Sequence, residues 1–174
     1  GLWAAGYGVA LVLMPGPDIC GMYQPEPFEH VVLNLLTNAV RHSPQGDGHV
    51  QIELWQEERN ARTVCMVRVL DNGPGIAPEM QAHLFEKYRA GLNGPHGAGL
   101  GLYLSMGLAR KMGGSLCAQN VSGAGAAFTF SFPIQTAKKA ALASEAGPYR
   151  AQELAQRVAV EFSALPAPQA GGQA

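Results

Sequence analysis

A chain of 174 residues that is 47% hydrophobic and 14% charged can fill one buried core, and disorder is not its default. Its formal net charge of −1 argues against a nucleic-acid surface, which needs a basic stripe. The three cysteines, Cys20, Cys65 and Cys117, show no C-x-x-C spacing; this fits a reducing, cytoplasmic compartment, and each is expected as a small buried hydrophobe.

Residues 1–14 are apolar, but Gly6 and Gly8 interrupt the run and Pro15-Gly16-Pro17 stop it. It falls short of the roughly 20 residues of a membrane span, and it has neither the basic start nor the cleavage site of a signal peptide. No membrane contact is expected from this segment, and any inner-membrane anchor of a full-length protein would lie elsewhere. Residues 7–14 are expected as a strand, with 18–23 as its neighbour across the Pro-Gly-Pro turn.

Over 26–42, Phe28, Val31, Val32, Leu35, Leu36 and Ala39 recur at helical spacing, so a helix with one apolar face is expected. Val50, Ile52 and Leu54 alternate over 49–57, and 63–70 forms a second strand behind a hairpin turn. A short helix is expected at 78–88, then a glycine-rich stretch at 89–98. Residues 99–112 read as a helix that is apolar almost all round and therefore largely buried. Two closing strands follow at 115–121 and 126–132, and Pro133 is expected to end the second. Residues 1–134 read as one domain. Residues 135–174, rich in Ala, Gln, Gly and Pro, read as a tail with one amphipathic helix at 149–163, where Leu154, Val158 and Phe162 share a stripe.

Three constellations carry chemistry. His30, Asn34, Asn38 and Arg41 fall on one stripe of the first helix, away from its apolar face. Asn carbonyls suit Mg²⁺ and Arg41 can meet phosphate oxygens; a solvated helix face is the plain alternative. Asp71-Asn72-Gly73-Pro74-Gly75-Ile76 runs from a strand end into a glycine loop. Asp71 can accept a hydrogen bond from an exocyclic amine, and Ile76 can lie against a flat ring; an ordinary turn is the alternative. Gly97-Ala98-Gly99-Leu100-Gly101-Leu102 opens a helix whose free N–H groups make an anion site. Its spacing matches neither the dinucleotide fingerprint nor the Walker A loop.

Together, in this order, the segments resemble sensor histidine kinases. NLLTNAVRHSP (34–44) resembles the N box, DNGPGIAP (71–78) the G1 box, HLFEKYRA (83–90) the F box and GAGLGLYLSMGLARKMGG (97–114) the G2 box. GAGAAFTFSFP (123–133) resembles the closing strand, and the likeness covers about residues 9–134. It implies an α/β two-layer sandwich, the Bergerat ATP-binding fold shared with gyrase and the mismatch-repair ATPases. In that fold a mixed sheet packs on helices and ATP lies under a flexible lid.

The resemblance also implies roles. Asn34 matches the Mg²⁺-binding Asn and Asn38 the second N-box Asn. Arg41 stands at a basic phosphate contact and His42 beside it. Asp71 matches the adenine-reading Asp, with Gly73, Gly75 and Ile76 around the base. Phe85 anchors the lid, and Lys87 or Arg89 reaches the γ-phosphate. Gly97, Gly99 and Gly101 contact phosphates, with Leu100 and Leu102 packed beneath. Ala126 departs from the Thr often found near the base.

The implied activity is that of a protein histidine kinase: binding Mg-ATP and donating the γ-phosphate to a histidine on an upstream helical dimerisation domain, with a response regulator as indirect partner. None of the five histidines is followed by Asp or Glu, and the residues before position 26 are too few for a helical hairpin, so the phosphoacceptor is expected outside this chain. An anti-sigma-factor-type serine kinase, a hydrolytic ATPase and a nucleotide-binding regulatory module are the alternatives. His30 occupies the place assigned to the general-base Glu of the hydrolytic relatives.

Overall fold

The computed structural model describes residues 2–4, 8–87, 100–123, 125–136 and 149–163. Its organising element is helix α1, Pro25–His42. Pro25 and Pro27 occupy its first turn, where amide N–H groups have no intrahelical acceptor. Phe28, Val31, Val32, Leu35, Leu36, Ala39 and Val40 are buried along one stripe. The helix stops at Ser43, whose N–H and hydroxyl both donate to the Ala39 carbonyl, at 3.0 and 2.9 Å.

The strands are β1 (Leu2–Ala4), β2 (Val9–Leu13), β3 (Cys20–Met22), β4 (Gly48–Arg59), β5 (Arg62–Asp71), β6 (Ser115–Val121), β7 (Gly125–Thr136) and β8 (Tyr149–Arg150). They form one eight-stranded sheet in the order β1-β2-β4-β5-β7-β3-β8, with β6 also on β7. β2 and β4 run parallel and the other pairs antiparallel. The β4–β5 hairpin turns at Asn60 and Ala61, both at positive φ (50° and 59°), as a two-residue loop matching strand twist requires.

Register aligns the inward residues: Val67 lies between Leu54 and Phe130, and Val69 between Ile52 and Phe128. These side chains meet the α1 stripe in one core, where Phe28 and Phe132 make an edge contact at 5.7 Å. Helices α3 (Gly101–Lys111) and α4 (Ala151–Ser163) both pack on α1. The first reaches β6 and β7, the second β1 and β2. Among the described residues between β5 and α3 lies a short turn of helix, α2 (Pro78–Gln81). No helix among the described residues is long and apolar enough to cross a membrane.

The structure corrects several expectations. Residues 18–23 do not neighbour the first strand: β3 pairs with β7 and β8, while β2 lies between β1 and β4. Pro133 does not end β7, which continues to Thr136. The last β6 pair is Ser115 with Ser131, so at Pro133 no β6 carbonyl is left waiting for the missing N–H. Helix α3 buries only Ser105 and Ala109, while Tyr103 and Leu104 are 43% and 56% exposed. It packs on α1 and on the sheet, with Leu102, Met106 and Leu108 partly buried against the core, and leaves Tyr103 and Leu104 on its outer side. Of the expected helix at 78–88, Pro78–Gln81 is helical among the described residues, and turns carry the chain onward to 87.

The cysteines divide likewise. Cys65 is buried in the core, Cys20 half-buried and Cys117 exposed. Burial pushes the Cys65 thiol up to about 12. Since the thiolate is the reactive form, iodoacetamide at pH 8 should label Cys117 in the folded chain and spare Cys65. Mass mapping after brief labelling checks this, and in denaturant Cys65 should label as readily as the others.

Candidate functional site

Strand β5 points Cys65, Val67 and Val69 inward, and its alternation makes Asp71 the next inward position. The carboxylate therefore stands at the mouth of the space between sheet and helices, only 3% exposed. Its Oδ1 accepts from the Gly73 N–H at 2.9 Å and the Ala126 N–H at 3.3 Å. Oδ2 has no partner among the described residues.

The loop after Asp71 is shaped by side chains. The Asn72 amide donates to the Asp47 carbonyl at 2.8 Å and accepts from the His49 N–H at 2.9 Å, tying the loop to the start of β4. Gly75 sits at φ +80°, where a Cβ would also stand 2.9 Å from Asn120 Oδ1; only glycine serves there. Asn120 of β6 accepts from the Ile76 N–H at 2.7 Å and donates to the Ile76 carbonyl at 2.8 Å.

These elements enclose a cavity of about 180 Å³ whose lining includes Asp71, Ile76, Asn38, His42, Leu102 and Phe128. Asn38 and His42 come from the last turns of α1, Leu102 from the first turn of α3, and Ile76 from the loop. An acceptor oxygen at one end of a mostly apolar slot suits a flat ring carrying an amine. A wider cleft of about 540 Å³, lined by Arg59, Arg62 and the Gly113-Gly114 turn, contains none of the candidate residues.

Asn34 lies one turn earlier on α1 and faces α3. Its amide nitrogen donates to the hydroxyl of buried Ser105 at 2.8 Å. A Cβ at Gly101 would come within 2.3 Å of Asn34 Oδ1, so the glycine lets the start of α3 close on α1. That helix start has no side-chain cap, leaving its first N–H groups available to an anion. Among the described residues no three His, Cys, Asp or Glu side chains gather as a metal site. A divalent cation here would depend on amide oxygens and on oxygens brought by its ligand.

Thus Asn38, His42, Asp71, Gly75, Ile76 and Leu102 meet in one cavity, with Gly73, Asn34 and Gly101 beside it. Phe85 is partly buried against the core. Leu100 is the half-buried residue preceding α3. Arg41 and Lys87 are exposed and do not line the cavity. Arg89, Gly97 and Gly99 lie outside the described residues. The sequence reading missed Asn120, Ser105, Met80 and Leu84. A polar Asn inside a strand pattern was the one signal for Asn120; the contact itself depends on the β6–β7 register.

A cavity closed by a buried carboxylate, amides of a long helix and a glycine-opened helix, on a mixed sheet, defines a nucleotide-binding α/β sandwich. Residues 23–136 match the family described as histidine kinase-, DNA gyrase B- and HSP90-like ATPase, and the chain belongs to that family, in its sensor-histidine-kinase form. It is 30% identical over 119 residues to the sensor protein EvgS of Escherichia coli K12, covering 67% of this chain and 10% of that protein. It is 37% identical over 108 residues to the sensor histidine kinase RppB of Synechocystis, covering 60% of this chain and 23% of that one. The matched stretch is thus a minor part of these relatives. Among solved structures, the mycobacterial sensor histidine kinase MprB superposes with TM-score 0.62 at 24% identity, over 75% of this chain and 85% of that one. Full-length ShkA in complex with AMPPNP does so with TM-score 0.61 at 28% identity, over 77% and 27%.

Proposed function

We propose that this domain binds Mg-ATP in the cavity between α1, the 71–77 loop and α3, and presents the γ-phosphate to a histidine on a separate helical dimerisation domain. It would act in the cytoplasm, with a response regulator receiving the phosphoryl group afterwards. The observation that carries the reading is Asp71, whose buried carboxylate spends one oxygen on the chain's own amides and keeps the other for a ligand. The AMPPNP complex of ShkA supports a triphosphate as that ligand.

In this reading the Asp71 oxygen accepts the adenine amine while Ile76, Leu102 and Phe128 enclose the ring. The triphosphate runs toward the uncapped start of α3 and the Asn side chains. Mg²⁺, when bound, neutralises phosphate charge. Asn34 is the proposed metal ligand: Ser105 holds its amide nitrogen and its Oδ1 lies beside Gly101. Arg41, Lys87 and Arg89 are proposed for the phosphates. These residues position and neutralise, while the histidine nitrogen supplies the nucleophile and ADP leaves.

Two observations favour transfer over hydrolysis. Glu29 is ion-paired with Arg157 of α4, and His30 is exposed on α1; neither lines the cavity.

Incubation with γ-labelled ATP, with and without a sensor-kinase dimerisation domain, tests the reading. The added domain should acquire acid-labile, alkali-stable label, and this chain alone should stay unlabelled. Acid-stable label on a serine would favour the serine-kinase alternative. No transfer despite nucleotide binding would reduce the domain to a nucleotide-binding regulatory module.

A further inference from the structure

We infer that Asn120 is a positioning residue for base recognition, holding Ile76 in the conformation that receives the purine. The inference rests on the nucleotide reading above and adds to it a residue outside the cavity lining that braces the loop.

Strand pairing on β5 ends at Asp71, and residues 72–76 make no backbone–backbone hydrogen bond among the described residues. What fastens the loop is therefore side-chain chemistry. Asp71 and Asn72 hold its first half. In its second half, both polar groups of Ile76 go to the Asn120 amide, at 2.7 and 2.8 Å. One planar side chain thus imitates the pairing of a neighbouring strand. A further contact, from Gln81 Nε2 to the Ile76 carbonyl, is long at 3.4 Å.

The placement follows from register. Asn120 is opposite Ala126 on β7, and the Ala126 N–H donates to Asp71. Asn120 and Asp71 thus sit on strands flanking β7 at the same level, one fixing the loop's start and the other its far side. Gly75 lies between them at φ +80°, which lets the chain turn toward Asn120 without a Cβ in the way.

The two hydrogen bonds are exposed. Water can replace them when Asn120 is removed, so global stability should barely change. The loop then samples conformations in which Ile76 does not line the cavity. Apparent affinity falls by the fraction of time the competent conformation is present. With two modest bonds lost, a ten-fold rise in Kd is expected.

Calorimetric titration with Mg-ADP tests this on the whole chain and on Asn120→Ala, Asn120→Asp and, as a control, Gln119→Ala. Asn120→Ala should weaken binding about ten-fold with an unchanged melting temperature. Asn120→Asp discriminates further. Its carboxylate accepts from the Ile76 N–H but opposes the Ile76 carbonyl, whereas its protonated form can serve both. The deficit of Asn120→Asp relative to the parent should therefore shrink as pH is lowered from about 6.5 to about 4, through the ordinary carboxyl range. Equal Kd for Asn120→Ala and the parent, or a pH-independent deficit in Asn120→Asp, overturns the inference and leaves the nucleotide reading standing. Failure of the parent chain to bind Mg-ADP would overturn both.

Discussion

Asp71→Asn should raise the Kd for Mg-ADP at least about a hundred-fold while the chain still folds. The reason is the number of donors that converge on one carboxylate. Gly73 and Ala126 direct their N–H groups at Oδ1, and the nucleotide reading adds an amine at Oδ2. A carboxylate accepts at every position; a carboxamide must present an NH₂ group on one side. Turned inward, that group faces two backbone donors; turned outward, it faces the ligand's amine. Hydrogen bonds to a charged acceptor contribute about 1.5–3 kcal/mol each, so losing one at the base and disturbing another reaches the hundred-fold scale. Asp71→Ala should weaken binding as much and destabilise the chain more, since Ala126 is buried and its N–H would be stranded. Calorimetry with Mg-ADP, on samples verified as folded by circular dichroism, measures the effect. A Kd within about three-fold of the parent for Asp71→Asn would remove the carboxylate from base recognition.

What the sequence made legible here is what has a period. The stripe of Phe28, Val31, Val32, Leu35, Leu36 and Ala39 set the rotation of α1, and alternation along 63–71 turned Asp71 to the same side as Val67 and Val69. The hairpin at Asn60-Ala61 and the closing FTFSF strand were legible for the same reason. Contacts between non-adjacent elements were not. An apolar stripe on 151–163 announces a buried face without naming its partner. Apolar residues all round 99–112 suggested near-complete burial, yet Tyr103 and Leu104 face outward, away from the side that packs on α1 and the sheet. Asn34 and Asn38 appeared as equals on one stripe, but the fold sends Asn38 to the cavity and Asn34 to Ser105. Arg41, on the same stripe, stays in solvent. Asn120 was invisible because its meaning depends on which β7 residue it opposes.

Helix α4 leads to the second large expected effect, on stability rather than binding. Ala151, Leu154, Ala155, Val158, Ala159 and Phe162 are all buried, and they belong to the same core as the α1 stripe and β2. This helix lies beyond residue 136, where the family match ends. The ion pairs of its Arg157 with Glu29, and of Arg150 in β8 just before it with Asp18, join partly exposed side chains and add little. The apolar face is what holds it. Phe162 is 1% exposed, and truncating such a ring costs about 3–5 kcal/mol. For a chain of this size each kcal/mol moves Tm by about 2–4 °C, so Phe162→Ala should melt roughly 10 °C below the parent. Removing residues 149–174 should do more, because it uncovers the α1 flank and β2 together. Nucleotide affinity of folded Phe162→Ala should stay within about two-fold, because α4 reaches β1 and β2 while α3 and the cavity lie toward β6 and β7. Differential scanning calorimetry with a Mg-ADP titration separates the two quantities. A Tm within about 3 °C of the parent would mean that α4 is a loosely held appendage, and the core would then have to be stable without it.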